Sequence, residues 1–160
     1  MNWEYHRATL ADLEQLVESR VEVLKAANGL DPAANMQRVA EYSREYYKKA
    51  LEDGSHIAYL AFANGVLAGT GGVSFFQVMP TYHNPTGQKA YIMNMYTAPA
   101  YRRKGIASHM LQLLVEEAKT RGVFHISLEA TQMGRPLYEK FGFVKMEEEM
   151  LLPREWWERK

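Results

Sequence analysis

The stretch Tyr91-Ile-Met-Asn-Met-Tyr-Thr-Ala-Pro-Ala-Tyr-Arg-Arg-Lys-Gly-Ile-Ala constrains this chain more than any other. An apolar, β-prone run from Ala90 to Tyr96 passes through a short turn into a basic loop with one glycine. A long helix follows from Gly105 to Arg121, with Ile106, Met110, Leu113, Leu114 and Ala118 at helical spacing and Gly122 to close it. A strand feeding such a helix calls for a sheet with helices packed on it. The start of a helix presents free amide N–H groups and roughly half a positive charge. Gly105 lets the backbone approach a ligand closely, and Arg102, Arg103 and Lys104 add charge at the same spot. Together these features suit a phosphate, above all a pyrophosphate. The spacing is neither a Walker loop nor a G-x-G-x-x-G fingerprint. A second reading stands beside it, that of a solvated basic patch before an ordinary helix.

The rest of the chain supplies the layers. Trp3 to Ala8 reads as a first strand, and Thr9-Leu-Ala-Asp12 as a capping box. Leu13, Leu16, Val17, Arg20, Val21 and Leu24 recur at helical spacing up to Asn28-Gly29. Asp31-Pro32 predicts the start of a second helix that carries Met36, Val39, Ser43, Tyr46, Tyr47 and Ala50 to Asp53-Gly54. Ile57–Ala63 and Val66–Val78 flank Asn64-Gly65, a strong hairpin signal. Gly69-Thr-Gly-Gly72 lies inside a strand with no helix after it, so it reads as a bulge or a close backbone approach rather than a phosphate loop. Met79 to Lys89 is a polar loop. Val123 to Ala130 is a strand, Arg135 to Phe141 a short helix, and Phe143 to Leu152 a last strand. The expectation is an α/β (α+β) domain over residues 1–160. Its sheet is mixed and mostly antiparallel, with six to seven strands flanked by four helices and one parallel crossover through the long helix.

Composition removes several classes. The 19 basic and 19 acidic residues cancel, which gives no electrostatic case for nucleic acid or an anionic membrane. With no cysteine, disulfides, thiolate metal sites and a thiol nucleophile are excluded. The five histidines show no ligand spacing, so no metal is expected. Met1 to Leu10 has no apolar leader core, and no run approaches the ~20 apolar residues of a membrane span. The expected setting is cytoplasmic.

Arg102-Arg-Lys-Gly-Ile-Ala107 resembles the Arg/Gln-x-x-Gly-x-Gly/Ala motif of the Gcn5-related N-acetyltransferases (GNAT). The element order resembles that family across nearly the whole chain. Gly134-Arg-Pro-Leu-Tyr-Glu-Lys-Phe-Gly-Phe143 is similar to its second signature, in which a tyrosine sits just before a Gly-Phe strand entry. The resemblance implies acetyl-CoA as cosubstrate and a primary amine as acceptor. It implies that the amides from Arg103 through Lys104, Gly105, Ile106 and Ala107 to Ser108 hold the CoA pyrophosphate, with Arg102 beside them. It implies that Asn94-Met95-Tyr96, running on to Thr97, splays from the neighbouring strand and pairs with the pantetheine arm. The Met95 amide then stabilises the developing oxyanion, and Tyr138 protonates the departing thiolate. A phenol suits that step, with a reference pKa of about 10 against about 8.5 for a thiol. Tyr138 also reads as a plain core aromatic. The family often has Asn seven residues before the tyrosine; this chain has Thr131, whose hydroxyl can still donate and accept.

Without a cysteine, direct attack of the amine in a ternary complex is the simpler mechanism, and it needs a base. Alternation along Phe124 to Ala130 sets Ser127 and Glu129 on one face, which makes Glu129 the candidate; a salt-bridging carboxylate is the competing reading. The resemblance points to Tyr46, Tyr47, Tyr82, His83 and Asn94 for the acceptor, an aromatic wall suited to a small amine. His83, in a Pro-flanked polar loop, also reads as solvent-exposed. A protein lysine or N-terminal amine as acceptor, or a non-catalytic acyl-CoA sensor on the same fold, are the alternatives. Glu147-Glu-Glu149 reads as a solvated edge. Trp156 and Trp157 suit a homodimer contact or fold back on their own core.

Overall fold

A computed structural model describes residues 2–159. Met1 and Lys160, the ends of the expected domain, lie outside the described residues. The chain divides into two compact units, one running to Glu129 and one beginning at Ala130.

The first unit is a five-stranded sheet in the order β1-β2-β3-β4-β5. The strands are β1 (Trp3–Arg7), β2 (His56–Ala63), β3 (Val66–Gln77), β4 (Gln88–Thr97) and β5 (His125–Leu128). Neighbours from β1 to β4 run antiparallel, and β4 pairs with β5 in parallel. The helices of this unit are α1 (Leu13–Ala27), α2 (Gln37–Asp53) and α3 (Ile106–Thr120), the last being the β4–β5 crossover.

Local sequence explains most of these boundaries. Thr9 and Asp12 form the expected capping box ahead of α1. Asn64 and Gly65 take φ of +50° and +78° between the paired Ala63 and Val66, so both left-handed turn positions fall on residues that tolerate them. Two expectations are corrected. The second helix begins at Gln37, not at Asp31-Pro32. Asp31 caps only one turn, accepting the Ala33 amide on Oδ1, and Asn35 then accepts the Gln37 amide at the true start. The sixth strand over Phe143–Leu152 does not form, so the sheet has five strands among the described residues. Met146-Glu-Glu-Glu149 breaks the alternation, and Val144, Met150 and Leu151 remain 85%, 98% and 88% exposed. Such a segment buries too little apolar surface to offset its ordering.

Alternation along β2 sorts its two faces. Ala58 and Leu60 pack with Leu16 and Val17 of α1 and Tyr47 of α2. Tyr59 points the other way and donates to Glu117 of α3. Gly71 of β3 lies against α3, where a Cβ would run into Met110. This is the close approach read from the glycine cluster. The face under α1 and α2 therefore carries His56 and its register partner Ser74, and, one strand over, Met93 opposite Gly72.

The second unit contains α4 (Arg135–Phe141), at the expected boundaries. Thr131 Oγ1 accepts the Gly134 amide at its entry, and Tyr138 is buried with its ring edge-on to Phe143. Among the described residues, no helix is long and apolar enough to cross a membrane.

Candidate functional site

Halfway along β4 the ladder changes on both sides. Toward β5 it stops at Ile92↔Leu128, and Met93–Thr97 pair with β3 alone among the described residues. Toward β3 the register shifts: Gly72 faces Met93 and Thr70 faces Tyr96, so Asn94 and Met95 lie opposite the single Gly71. This is a β-bulge. Asn94 takes φ +58°, a left-handed conformation that asparagine tolerates better than most residues with a side chain. It is held there from two sides, since Thr70 Oγ1 donates to its carbonyl at 2.8 Å and Arg20 Nη1 donates to its Oδ1 at 3.1 Å. An open strand edge next to a fixed bulge is a place where an extended ligand can add as a strand.

The basic loop follows. Arg103 and Gly105 have φ of +61° and +86°. The first intrahelical bond at this end runs from His109 N to Gly105 O, so Ile106, Ala107 and Ser108 have no carbonyl one turn back for their N–H groups. Strain at Arg103, where no core packing demands it, is the kind stored at functional loops. Arg102, Arg103 and Lys104 are exposed. Arg102 Nε donates to Thr97 O, and Lys104 lies over the Tyr101 ring. The loop has the backbone donors, positive charge and access that a pyrophosphate requires.

On the α1/α2 face lies a cavity of about 660 Å³, within the range for small-molecule sites. Tyr46, Tyr47 and Asn94 line it, as expected. So do Arg20, His56, Ser74 and Met93, which sequence reading missed. Tyr46 Oη and Ser74 Oγ are 2.7 Å apart, and each is 3.0 Å from His56 Nδ1. His56 Nε2 is buried with no protein partner, and a Cβ on Gly72 would sit 2.7 Å from it. Burial, then the positive charge of Arg20, pushes the His56 pKa down to about 4, so the imidazole is neutral at physiological pH. Burial pushes Tyr47 up to about 12, against the opposing pull of Arg20, and raises Tyr46 as well. The cavity wall is thus uncharged apart from arginine.

Tyr82 and His83 do not line the cavity, and Tyr82 is 92% exposed. Their loop closes on itself. Val78 N donates to Gly87 O, Thr81 N and Gly87 N donate to Asn84 O, and Asn84 Nδ2 donates to Gln88 O. These bonds hold Tyr82 and His83 at the tip of a β3–β4 extension. Glu129 stands exposed, one residue past β5. In the second unit, burial raises the Tyr138 pKa, so its phenol keeps its proton. Among the described residues, no group of three or more His, Cys, Asp or Glu is arranged to hold a metal.

The chain belongs to the Acetyltransferase (GNAT) family, which it matches over residues 22–143. That family is one of N-acetyltransferase enzymes, as the two motifs implied. The chain is similar to a predicted acetyltransferase from Clostridium acetobutylicum, crystallised with acetyl-CoA. The two share 35% identity and a TM-score of 0.86 over 95% of this chain and 96% of that one. An uncharacterised N-acetyltransferase of Bacillus subtilis (strain 168), YsnE, is 44% identical over 57 residues, 32% of this chain and 38% of the relative. A glucosamine 6-phosphate N-acetyltransferase of Trypanosoma brucei brucei is 25% identical over 81 residues, 51% of this chain and 55% of the relative. The match therefore spans little more than a third to about half the length of these curated relatives.

Proposed function

We propose that the protein transfers an acetyl group from acetyl-CoA to the primary amine of a small molecule, by direct attack in a ternary complex. The observation that carries this reading is the cavity of about 660 Å³ lined by Met93 and Asn94, where β4 has left its pairing with β5. Its size suits a metabolite-sized acceptor better than a flat protein surface would. The glucosamine 6-phosphate acetyltransferase among the relatives also supports a small acceptor.

When bound, acetyl-CoA supplies the activated acyl group. The residues proposed to hold it are Met95, Tyr96 and Thr97 along the strand edge, with Arg102, Arg103, Lys104, Gly105, Ile106, Ala107 and Ser108 at the phosphates. Thr131 is proposed as a further contact. The Met95 amide stabilises charge developing on the thioester oxygen, and Tyr138 donates a proton to the leaving sulfur. Tyr46, Tyr47 and Asn94 hold the acceptor. The amine must lose a proton first. Glu129 is one candidate base, and the Tyr46–Ser74–His56 trio is the other. The trio lines the cavity, while a pKa near 4 makes its imidazole a weak base at neutral pH. A homodimer through the exposed Trp156 and Trp157 remains part of the proposal; light scattering tests it.

The test is a thiol-release assay with acetyl-CoA against amino acids, amino sugars, polyamines, aminoglycosides and short peptides. Free CoA above background with a small-molecule class supports the reading. Release with peptides alone assigns a protein acceptor. No release, with acetyl-CoA binding seen by calorimetry, assigns a sensor.

A further inference from the structure

Arg7, Arg44, Arg135 and Arg154 each pair with a glutamate, and Arg38, Arg102, Arg103 and Arg121, which do not, are exposed. Arg20 is half-buried in the cavity wall, yet no carboxylate lies within ion-pair distance of it among the described residues. Its bond goes to a neutral amide, Asn94 Oδ1, and a guanidinium has five N–H donors to satisfy. The charge is nevertheless felt inside, where it adds to the burial that lowers the His56 pKa and pulls against the burial that raises that of Tyr47. A partly desolvated cation without a counter-charge is costly unless a ligand supplies one.

The surrounding wall points the same way. No Asp or Glu is among the described residues that line the cavity, while a second guanidinium, Arg38, stands exposed at its rim. Asp53, whose charge reaches Tyr46, is exposed, accepts the Ser55 amide and does not line the cavity. A polycationic acceptor would meet two positive charges and no negative one.

We infer that the acceptor is a primary amine that carries an oxyanion close to the reacting nitrogen, and that Arg20 binds this oxyanion. The inference rests on the acetyl-transfer reading above. Arg20 is bonded to Asn94, the neighbour of the Met95 amide proposed to face the reacting carbonyl, so the guanidinium belongs to the reacting end of the cavity. The anion and the amine are therefore a few bonds apart, as in an α-amino acid or a small phosphorylated amine. A fork of donors matches either oxyanion with paired hydrogen bonds. A guanidinium beside the amine also favours the uncharged, nucleophilic form.

The experiment measures equilibrium binding by calorimetry and thiol release with acetyl-CoA for matched pairs. These are phenylalanine with phenylalaninamide, and phosphoethanolamine with ethanolamine; spermidine is the polycation. The anionic member of at least one pair should bind and react about 10- to 100-fold better than its partner. Which pair does so tells carboxylate from phosphate. Arg20→Gln should erase that preference, weakening the anionic partner about 10- to 100-fold more than the neutral one. Arg20→Lys should restore part of it, and Arg38→Gln, at the rim, should lower it a few-fold. The Lys and Arg38 variants keep the test decisive if Arg20→Gln folds poorly. Equal weakening of both members by Arg20→Gln would mean that Arg20 acts through Asn94, and it would overturn the inference. Preference for a neutral amine or spermidine would also overturn it, yet leave acetyl transfer intact. Anion-selective binding without CoA release would sink the acetyl-transfer reading and keep the anion site.

Discussion

At Arg102–Ser108 the proposed working atoms are backbone N–H groups in one unbroken segment that opens with the exposed Arg102, Arg103 and Lys104. In the cavity they are side chains from α1, α2, β2, β3 and β4, more enclosed and neutral except for arginine. The first region is set by local rules, since a helix start and a left-handed glycine make an anion site wherever they occur. The second exists only after β2, β3 and β4 are in register, because His56 meets Ser74 through strand pairing and Arg20 meets Asn94 across 74 residues. Changes in the first region should therefore act on acetyl-CoA, and changes in the second on the acceptor.

The largest expected effect belongs to neither region. Tyr138→Phe should lower kcat by about 100-fold or more while the acetyl-CoA Kd stays put. Unchanged turnover would remove Tyr138 from the proton transfer. Next comes pH. Unfolded His56 titrates near 6.5 and the folded residue near 4, so between these values only the unfolded chain takes up its proton. Stability fully present above pH 6.5 should fall as pH drops toward 4 and level off below, by on the order of 3 kcal/mol. His56→Gln should flatten that part of the profile in denaturant melts at pH 7 and pH 4.5. An identical slope would show that the histidine is not held neutral. Gly105→Val comes third. At φ +86°, with no atom within 4 Å of an added Cβ, its cost is backbone strain of about 1–2 kcal/mol. The KM for acetyl-CoA should rise with acceptor selectivity unchanged; a shift in selectivity would blur the division between the regions. The smallest effect is expected for Tyr82→Ala, whose kinetics should match the parent within error, because Tyr82 lies on the exposed loop tip.

The same division explains what was legible in the sequence. The Asn64-Gly65 hairpin, the Thr9–Asp12 box, α3 and α4 follow from spacings of a few residues, and each was readable. The proposed phosphate loop and Tyr138 come from motifs, and the left-handed Gly105 and the buried Tyr138 are what the structure adds to them. Thr131 accepts the Gly134 amide on Oγ1, a local bond that its type alone did not announce and that leaves its hydroxyl proton free to donate. Arg20 was counted as one more helical position, and His56 and Ser74 were not singled out. Their meaning lies in partners that register alone supplies. The one available signal was Arg20 itself, a charge on the apolar stripe of α1, beside Leu16 and Val17. The extra strand over Phe143–Leu152 failed for the opposite reason. Its residues have strand-like types but an acidic run where a buried face would need apolar side chains.

The central claim is that the acceptor occupies the cavity under α1 and α2 while acetyl-CoA is held elsewhere. Ser74→Phe fills that cavity from its floor. The most direct measurement is acetyl-CoA affinity by calorimetry and acceptor turnover by CoA release, on parent and variant of equal melting temperature. An unchanged acetyl-CoA Kd with acceptor turnover lost is expected. Turnover and acceptor KM both unchanged would contradict it and put the acceptor outside the cavity.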